Sequence, residues 1–232
     1  MPSEVNETRR RFVDLSHSVE HGMITYRGLP GPVLSDFLSR EASRERYAPG
    51  TEFHIGQIEM VANTGTYLDS PFHRFADGSD LSELSLEVLA DLPAAVVRVT
   101  ELKDRAVDRD SFLSYDVLGK AVLIHTGWAD RWGTDAYFEN HPYLTREAAA
   151  WLVESGAALV GIDSYNIDST STGERPTHTA LLAQGIPIVE HMCGLEQLPV
   201  EGARFTAVPV KVKGMGTFPV RAYASLPAEA RS

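Results

Sequence analysis

Four chemically useful side chains fall within one short stretch, Asn63-Thr64-Gly65-Thr66-Tyr67-Leu68-Asp69-Ser70-Pro71-Phe72-His73. An amide, a phenol, a carboxylate and an imidazole held together can bind a polar substrate and move a proton. Read as a strand from Asn63 to Asp69, the period of two puts Asn63, Gly65, Tyr67 and Asp69 on one face and Leu68 on the other. Pro71 cannot continue a ladder, so the chain turns there and His73 folds back toward the polar face. A local reading also exists, because Asp-Ser-Pro opens turns in which the Asp side chain bonds nearby amides. Buried polar groups need partners, and their clustering on one face favours a site.

The elements that must position these groups read as follows. Residues 11–19, 52–68, 94–100, 121–126, 158–162, 186–189 and 205–212 read as strands. Thr145 to Ser155 is the clearest helix, with Thr145 as N-cap, Glu147 in the first turn and Gly156 after the end. Shorter helical segments are expected at 81–92, 178–183 and 190–198, a loop at 21–32, a polar flap at 34–50 and a tail from 222 onward. The mixture lacks a strict βαβ rhythm. It predicts a mixed α/β fold, a twisted, barrel-like sheet flanked by short helices, in one domain over 1–232 with residues 1–10 flexible.

Composition narrows the function. The 232 residues carry 21 Lys+Arg against 32 Asp+Glu, a net charge of −11. An acidic chain has no footprint for a nucleic-acid backbone or an anionic membrane surface. A lone cysteine, Cys193, excludes an internal disulfide and a Cys-rich zinc module. No segment reads as a signal peptide or a spanning helix, so a cytoplasmic protein with a small-molecule substrate is expected.

The 63–73 stretch resembles the His-x-Gly-Thr-His-x-Asp-x-Pro-x-His signature of the cyclase superfamily that includes bacterial kynurenine formamidase and isatin hydrolase. Asp14-Leu15-Ser16 resembles its opening strand, and Gly161-Ile162-Asp163 through Asp168 its Gly-Ile-Asp strand. His178-x-x-Leu181-Leu182, followed by Gly185-Ile186-Pro187-Ile188-Val189-Glu190, resembles its second ligand segment, and residues 216–221 its closing strand. The resemblance spans about Arg11 to Ala224 and implies a swivelling β/β/α fold. It also implies a homodimer or higher homo-oligomer.

Two of the family's ligand histidines are Asn63 and Tyr67 here. The resemblance leaves Asp69, His178 and Glu190 at ligand positions and His73 at that of the general acid/base. Two carboxylates and one imidazole can hold one divalent ion, zinc or manganese. Asn63 can add a neutral oxygen, while Tyr67 is a poor ligand near neutral pH and a better hydrogen-bond donor to an oxyanion.

Two enzyme readings follow. One is a hydrolase acting on a C–N or lactone bond in a small cyclic or N-acyl substrate, with His73 as acid/base and at most one metal. The other is a metal-free cyclase, lyase or isomerase that uses His73, Tyr67, Asp69 and Glu190; without a metal, the like charges of Asp69 and Glu190 should raise the pKa of one of them, which can then act as a general acid. A third is a binding protein that keeps the pocket but no activity. Tyr26, Phe72, Asn63 and His178 are the expected substrate contacts. Arg27 and Arg175 are candidates for a substrate carboxylate, Arg175 also reading as a solvated surface residue. His54 and His191 read either as substitute metal ligands or as packed histidines, His125 as a pocket or core residue, and Trp128 and Trp132 as packing anchors. Residues 39–47 read as a lid or a subunit contact.

Overall fold

The computed structural model describes residues 10–102 and 104–227. In chain order the strands are β1 (Arg11–Asp14), β2 (Val33–Leu38), β3 (Ile55–Glu59), β4 (Tyr67–Asp69), β5 (Leu92–Arg98), β6 (Ala106–Val107), β7 (Ala121–His125), β8 (Tyr143–Leu144), β9 (Leu159–Ile162), β10 (Ile188–Glu190), β11 (Arg204–Thr206), β12 (Thr217–Pro219) and β13 (Tyr223–Leu226). The helices are α1 (Arg40–Ser43), α2 (Arg146–Glu154) and α3 (Pro176–Ala183).

Nine strands form one strongly curled sheet in the order β1-β13-β11-β5-β7-β9-β10-β4-β12. Its centre, β5-β7-β9-β10, is parallel. These strands are runs such as Ala121-Val122-Leu123-Ile124, buried throughout, as a sheet covered on both faces requires. One apolar cluster, with Leu15, Leu68, Leu123 and Phe205, fills one face. The other cluster packs Val122, Val160 and Ile188 against Leu152 of α2 and Leu181 of α3. Thr145 caps α2 by accepting from Ala148 N at 3.1 Å, and Gly156 leaves the helix with φ +76°.

Several expectations need correction. Asn63 to Thr66 is not strand: Gly65 has φ +66°, and pairing starts only at Tyr67. The 34–50 flap holds β2 and the short α1, and β2 pairs with β3 in a separate two-stranded ribbon. The 81–92 helix reduces to one 3-10 turn at Leu86–Val88, and the 190–198 helix to another at Leu195–Gln197, with Glu190 in β10. Only Arg204–Thr206 of the 205–212 region pairs as a strand; Val208 and Val210 are exposed. The expected tail contains β13, which lies between β1 and β11. Residues 1–9, expected to be flexible, lie outside the described residues. Among the described residues no helix is long and apolar enough to cross a membrane.

Candidate active site

Strand register builds the site. β4 lies between β10 and β12, antiparallel to both, so Tyr67 faces Glu190 and Asp69 faces Thr217. Directly opposed residues on adjacent strands have side chains within reach of one another. The Tyr67 hydroxyl donates to Glu190 Oε2 at 2.7 Å, and Thr217 Oγ1 donates to Asp69 Oδ1 at 2.7 Å. Gly216 makes the second pair possible, because a Cβ there would collide with the backbone of Phe72 and His73. The 3-10 turn Pro71–His73 then returns His73 over β4, with Nδ1 2.8 Å from Thr217 Oγ1. Thr217 has one proton and gives it to Asp69. His73 Nδ1 is therefore the donor to Thr217; in the neutral ring Nε2 then carries the lone pair.

His178 comes from α3. Asp168, in the loop after β9, accepts from the backbone N–H of Thr177 at 2.7 Å and of His178 at 3.0 Å, closing the first turn of that helix. The same carboxylate accepts from His178 Nδ1 at 2.7 Å, which fixes the ring. His178 Nε2 then points between two buried carboxylates, 3.6 Å from Asp69 Oδ2 and 3.7 Å from Glu190 Oε1. At those distances the contacts are ion pairs, not hydrogen bonds. Asp69 Oδ2 is buried with no hydrogen-bond partner, whereas the Glu190 oxygens accept from Tyr67 and, at 2.6 Å, from Ile167 N.

Electrostatics follow from burial. Burial opposes the charge on His178, but Asp168, Asp69 and Glu190 overcome it and lift its pKa to about 10. Burial also raises Glu190, and the charge of Asp69 adds to this against the pull of His178, leaving it pushed up to about 7. Of the two carboxylates, Glu190 is the one raised. For Asp69, burial works upward but His178 and His73 win and hold it low. Burial, followed by the charges of Glu190 and Asp69, drives Tyr67 well above the usual phenol value, so it stays a neutral donor.

Asp69, His73 and His178 each offer a donor atom, and these lie within 4.8 Å of one another. A metal fits this corner. The unpartnered Asp69 Oδ2 faces His178 Nε2 at 3.6 Å, and two donors about 2.0–2.2 Å from a common ion lie at comparable separation. The proton on His178 Nε2 marks the place a cation would take. Of the expected set, Asp69 and His178 lie in this compact group together with His73, and Glu190 Oε1 lies 3.7 Å from His178 Nε2 while accepting from Ile167 N. The Tyr67 hydroxyl, expected as an oxyanion donor, here directs its proton to Glu190 Oε2.

A cavity of about 280 Å³ opens onto this corner. Tyr26, Asn63, Tyr67, His73, His178 and Glu190 all line it. Tyr26 stacks on Tyr165 at 4.7 Å between centroids. Phe72 does not line the cavity, because the turn that aims His73 inward points the preceding residue elsewhere. His54 is on the outer ribbon, 2.8 Å from Asp36, and His125 packs against Arg98; neither reaches the site. His191, with φ +55°, lies behind Tyr67: its Nε2 is 3.3 Å from the Tyr67 hydroxyl and its Nδ1 2.8 Å from that of Tyr137. Trp132 stacks on His17 at 4.0 Å, and Trp128 Nε1 donates to Tyr137 O, so both act as packing anchors.

Thr217, Asp168 and Arg74 also contribute to the site; Thr217 and Asp168 lie in the resembling segments, while the roles of all three depend on the fold. Asp168 could have been found by asking what orients a buried ligand histidine. Thr217 depends on register between strands far apart in sequence.

Residues 13–169, more than half of the chain, match the family model described as "Putative cyclase". The chain belongs to the cyclase family. A kynurenine formamidase from Geobacillus thermodenitrificans is 30% identical over 182 residues, 78% of this chain and 84% of the relative. Isatin hydrolase A from Labrenzia aggregata superposes with a TM-score of 0.80 at 21% identity, covering 94% of both chains. A structure described as a potential metal-dependent hydrolase with cyclase activity gives a TM-score of 0.72 at 22% identity over 96% of this chain and 100% of its own. This cyclase-family chain is an enzyme, a hydrolase of the amidohydrolase-like kind. The matched 13–169 segment carries Asp69 and His73 and ends before His178 and Glu190.

Proposed function

We propose that this chain hydrolyses the C–N bond of a small N-acyl or cyclic amide, with His73 as the acid/base and at most one divalent ion. The observation that carries the reading is Asp69 Oδ2, buried, unpartnered and 3.6 Å from His178 Nε2 at the end of a small cavity. Asp69 and His178 would hold the ion, which when bound polarises the amide carbonyl and acidifies a water. Two protein donors with water at the other positions suit manganese.

His73 Nε2, at the half-exposed lip of the cavity, takes a proton from the attacking water. His73 Nδ1–H donates to Thr217, which donates to Asp69, and this relay holds the required tautomer. A new C–O bond forms at the carbonyl carbon and the C–N bond breaks. The proton passes from His73 to the leaving nitrogen, giving an acid and an amine. Tyr26 offers an aromatic wall, and Asn63 an amide for a polar substituent.

A second reading is supported by the compact Asp69, His73 and His178 group, in which His73 is a third ligand and a zinc set is complete. Formanilide turnover and metal retention of His73→Ala separate the two. Acid/base work by His73 predicts retained metal with turnover reduced at least about a hundredfold. A ligand role predicts that metal is lost as well. No turnover of formanilide or of any cyclic amide by the metal-loaded protein would contradict the hydrolase assignment for this pocket.

We also propose that the chain assembles with a second copy through the β2–β3 ribbon. Phe37 is 68% exposed there and Ile58 59%, and a lone two-stranded ribbon is marginal in water. Light scattering of Phe37→Asp against the parent chain tests this; a monomeric parent would contradict it.

A further inference from the structure

We propose that Arg74 and Arg175 form an anion-recognising rim on the cavity and select amide substrates that carry a carboxylate away from the scissile bond. This rests on the amide-hydrolase reading and names its substrate class.

Both side chains line the cavity with His73 and His178. Arg74 directly follows His73, and Arg175 directly precedes the helix that carries His178. Each imidazole therefore has an arginine near it in sequence that lines the same cavity. Arg74 Nε donates to Thr179 Oγ1 at 3.3 Å, the residue after His178, so the first guanidinium is tied across to α3. Arg175 Nη1 donates to the carbonyls of Ser169, Thr172 and Glu174, at 3.3, 2.8 and 2.7 Å, which fixes the second in place. Arg74 Nη1 and Nη2 and Arg175 Nε and Nη2 have no protein partner among the described residues.

The charge context sharpens this. Acids outnumber bases 32 to 21 in the chain, yet neither arginine is paired with a carboxylate among the described residues. Arg27, the other candidate, pairs with Glu139 at 3.5 Å and lines a neighbouring cavity. The one acid among the cavity-lining residues is Glu190, buried and already accepting two hydrogen bonds.

Two forked, planar cations at the lip, neither paired with a carboxylate among the described residues, match a carboxylate, which guanidinium groups bind with paired hydrogen bonds. Tyr26 and Leu29 supply the apolar wall for the body of the same ligand. A cavity of about 280 Å³ limits that body to one or two rings.

The test uses 2-formamidobenzoate and its neutral methyl ester. Both release formate, so any preference reports the substrate's own carboxylate and not the acid formed in the reaction. The ratio of kcat/KM, anion over ester, should exceed about tenfold in the parent and fall by at least about tenfold in Arg74→Gln and Arg175→Gln, mostly through KM. Arg74→Lys should recover part of it, keeping the charge without the fork. Calorimetric titration with benzoate needs no turnover and should weaken at least about tenfold in the same variants.

A ratio near one in the parent, or one that neither variant moves, would overturn the rim even with both substrates hydrolysed. Benzoate binding that depends on both arginines, with neither substrate turned over, would support the rim and count against the hydrolase reading alone. Benzoate binding indifferent to both arginines would overturn it whatever the turnover.

Discussion

The two sides of the site are built from the same strand and behave differently. On one side Tyr67, Glu190 and His191 satisfy one another: Glu190 accepts from Tyr67 and Ile167, and His191 joins the phenols of Tyr67 and Tyr137. On the other side Asp69 leaves Oδ2 unpartnered, His178 directs Nε2 toward it, and His73 keeps a free Nε2. Both sides are buried and ionisable, so burial does not distinguish structure from chemistry here. Hydrogen-bond saturation does: a closed network fixes shape, and a network with a gap has room for a cation, a water or a substrate atom.

The sharpest way to break the comparison is Asp69→Asn. It keeps the shape of the open side but removes its charge, and should lower kcat/KM by about a thousandfold or more and abolish metal retention. A variant that still turns over and still holds metal would show that the open side is not the working one.

Thr217→Val is next. It cuts the relay between His73 and Asp69 without touching substrate, and should lower kcat by about 10- to 100-fold with little change in KM. Steady-state kinetics on formanilide would read it, and an unchanged kcat would remove the relay.

Glu190→Gln probes the closed side. It should destabilise the fold by about 1–3 kcal/mol, read by urea unfolding, because the amide has one accepting oxygen and cannot accept from both Tyr67 and Ile167. Loss of turnover with unchanged stability would reverse the assignment of the two sides.

The last test is in pH. Burial lowers His17 to about 4 and His191 to about 3, so the folded chain binds these protons less readily than the unfolded chain, whose imidazoles titrate near 6.5. Their contribution is fully present above about pH 6.5 and is lost as pH falls toward those folded values, by up to about 1.4 kcal/mol per pH unit for each imidazole. His17→Phe, which can keep the stack on Trp132, should flatten part of the acid decline in melting temperature.

Local signals were legible in the sequence where the structure is local. The α2 helix carries its own cap in Thr145 and its own stop in Gly156, and both act as read. Buried runs such as Ala121–His125 announce central strands by composition. β13 was invisible because its case rests on β1 and β11, both distant in the chain. The 205–212 alternation misled for the opposite reason: Pro209 and exposed Val208 and Val210 keep the pattern after the ladder has ended.

At the site, residue types at 63–73 identified Asp69 and His73, and the Gly-Ile-Pro-Ile-Val-Glu run led to Glu190. Register decided what each could do. Tyr67 lies opposite Glu190 and gives it its proton, and Asp69 lies opposite Thr217 and keeps one oxygen free. Pairing of strands more than a hundred residues apart leaves no mark on either segment alone.

The most direct test is the metal stoichiometry of the full chain after loading with manganese or zinc and desalting, measured by inductively coupled plasma mass spectrometry. About one equivalent, falling to none in Asp69→Asn and retained in Glu190→Gln, is the result predicted for an open side that holds one ion beside a closed side that does not. No retained metal in the parent chain, or metal lost with Glu190 and not with Asp69, would contradict it.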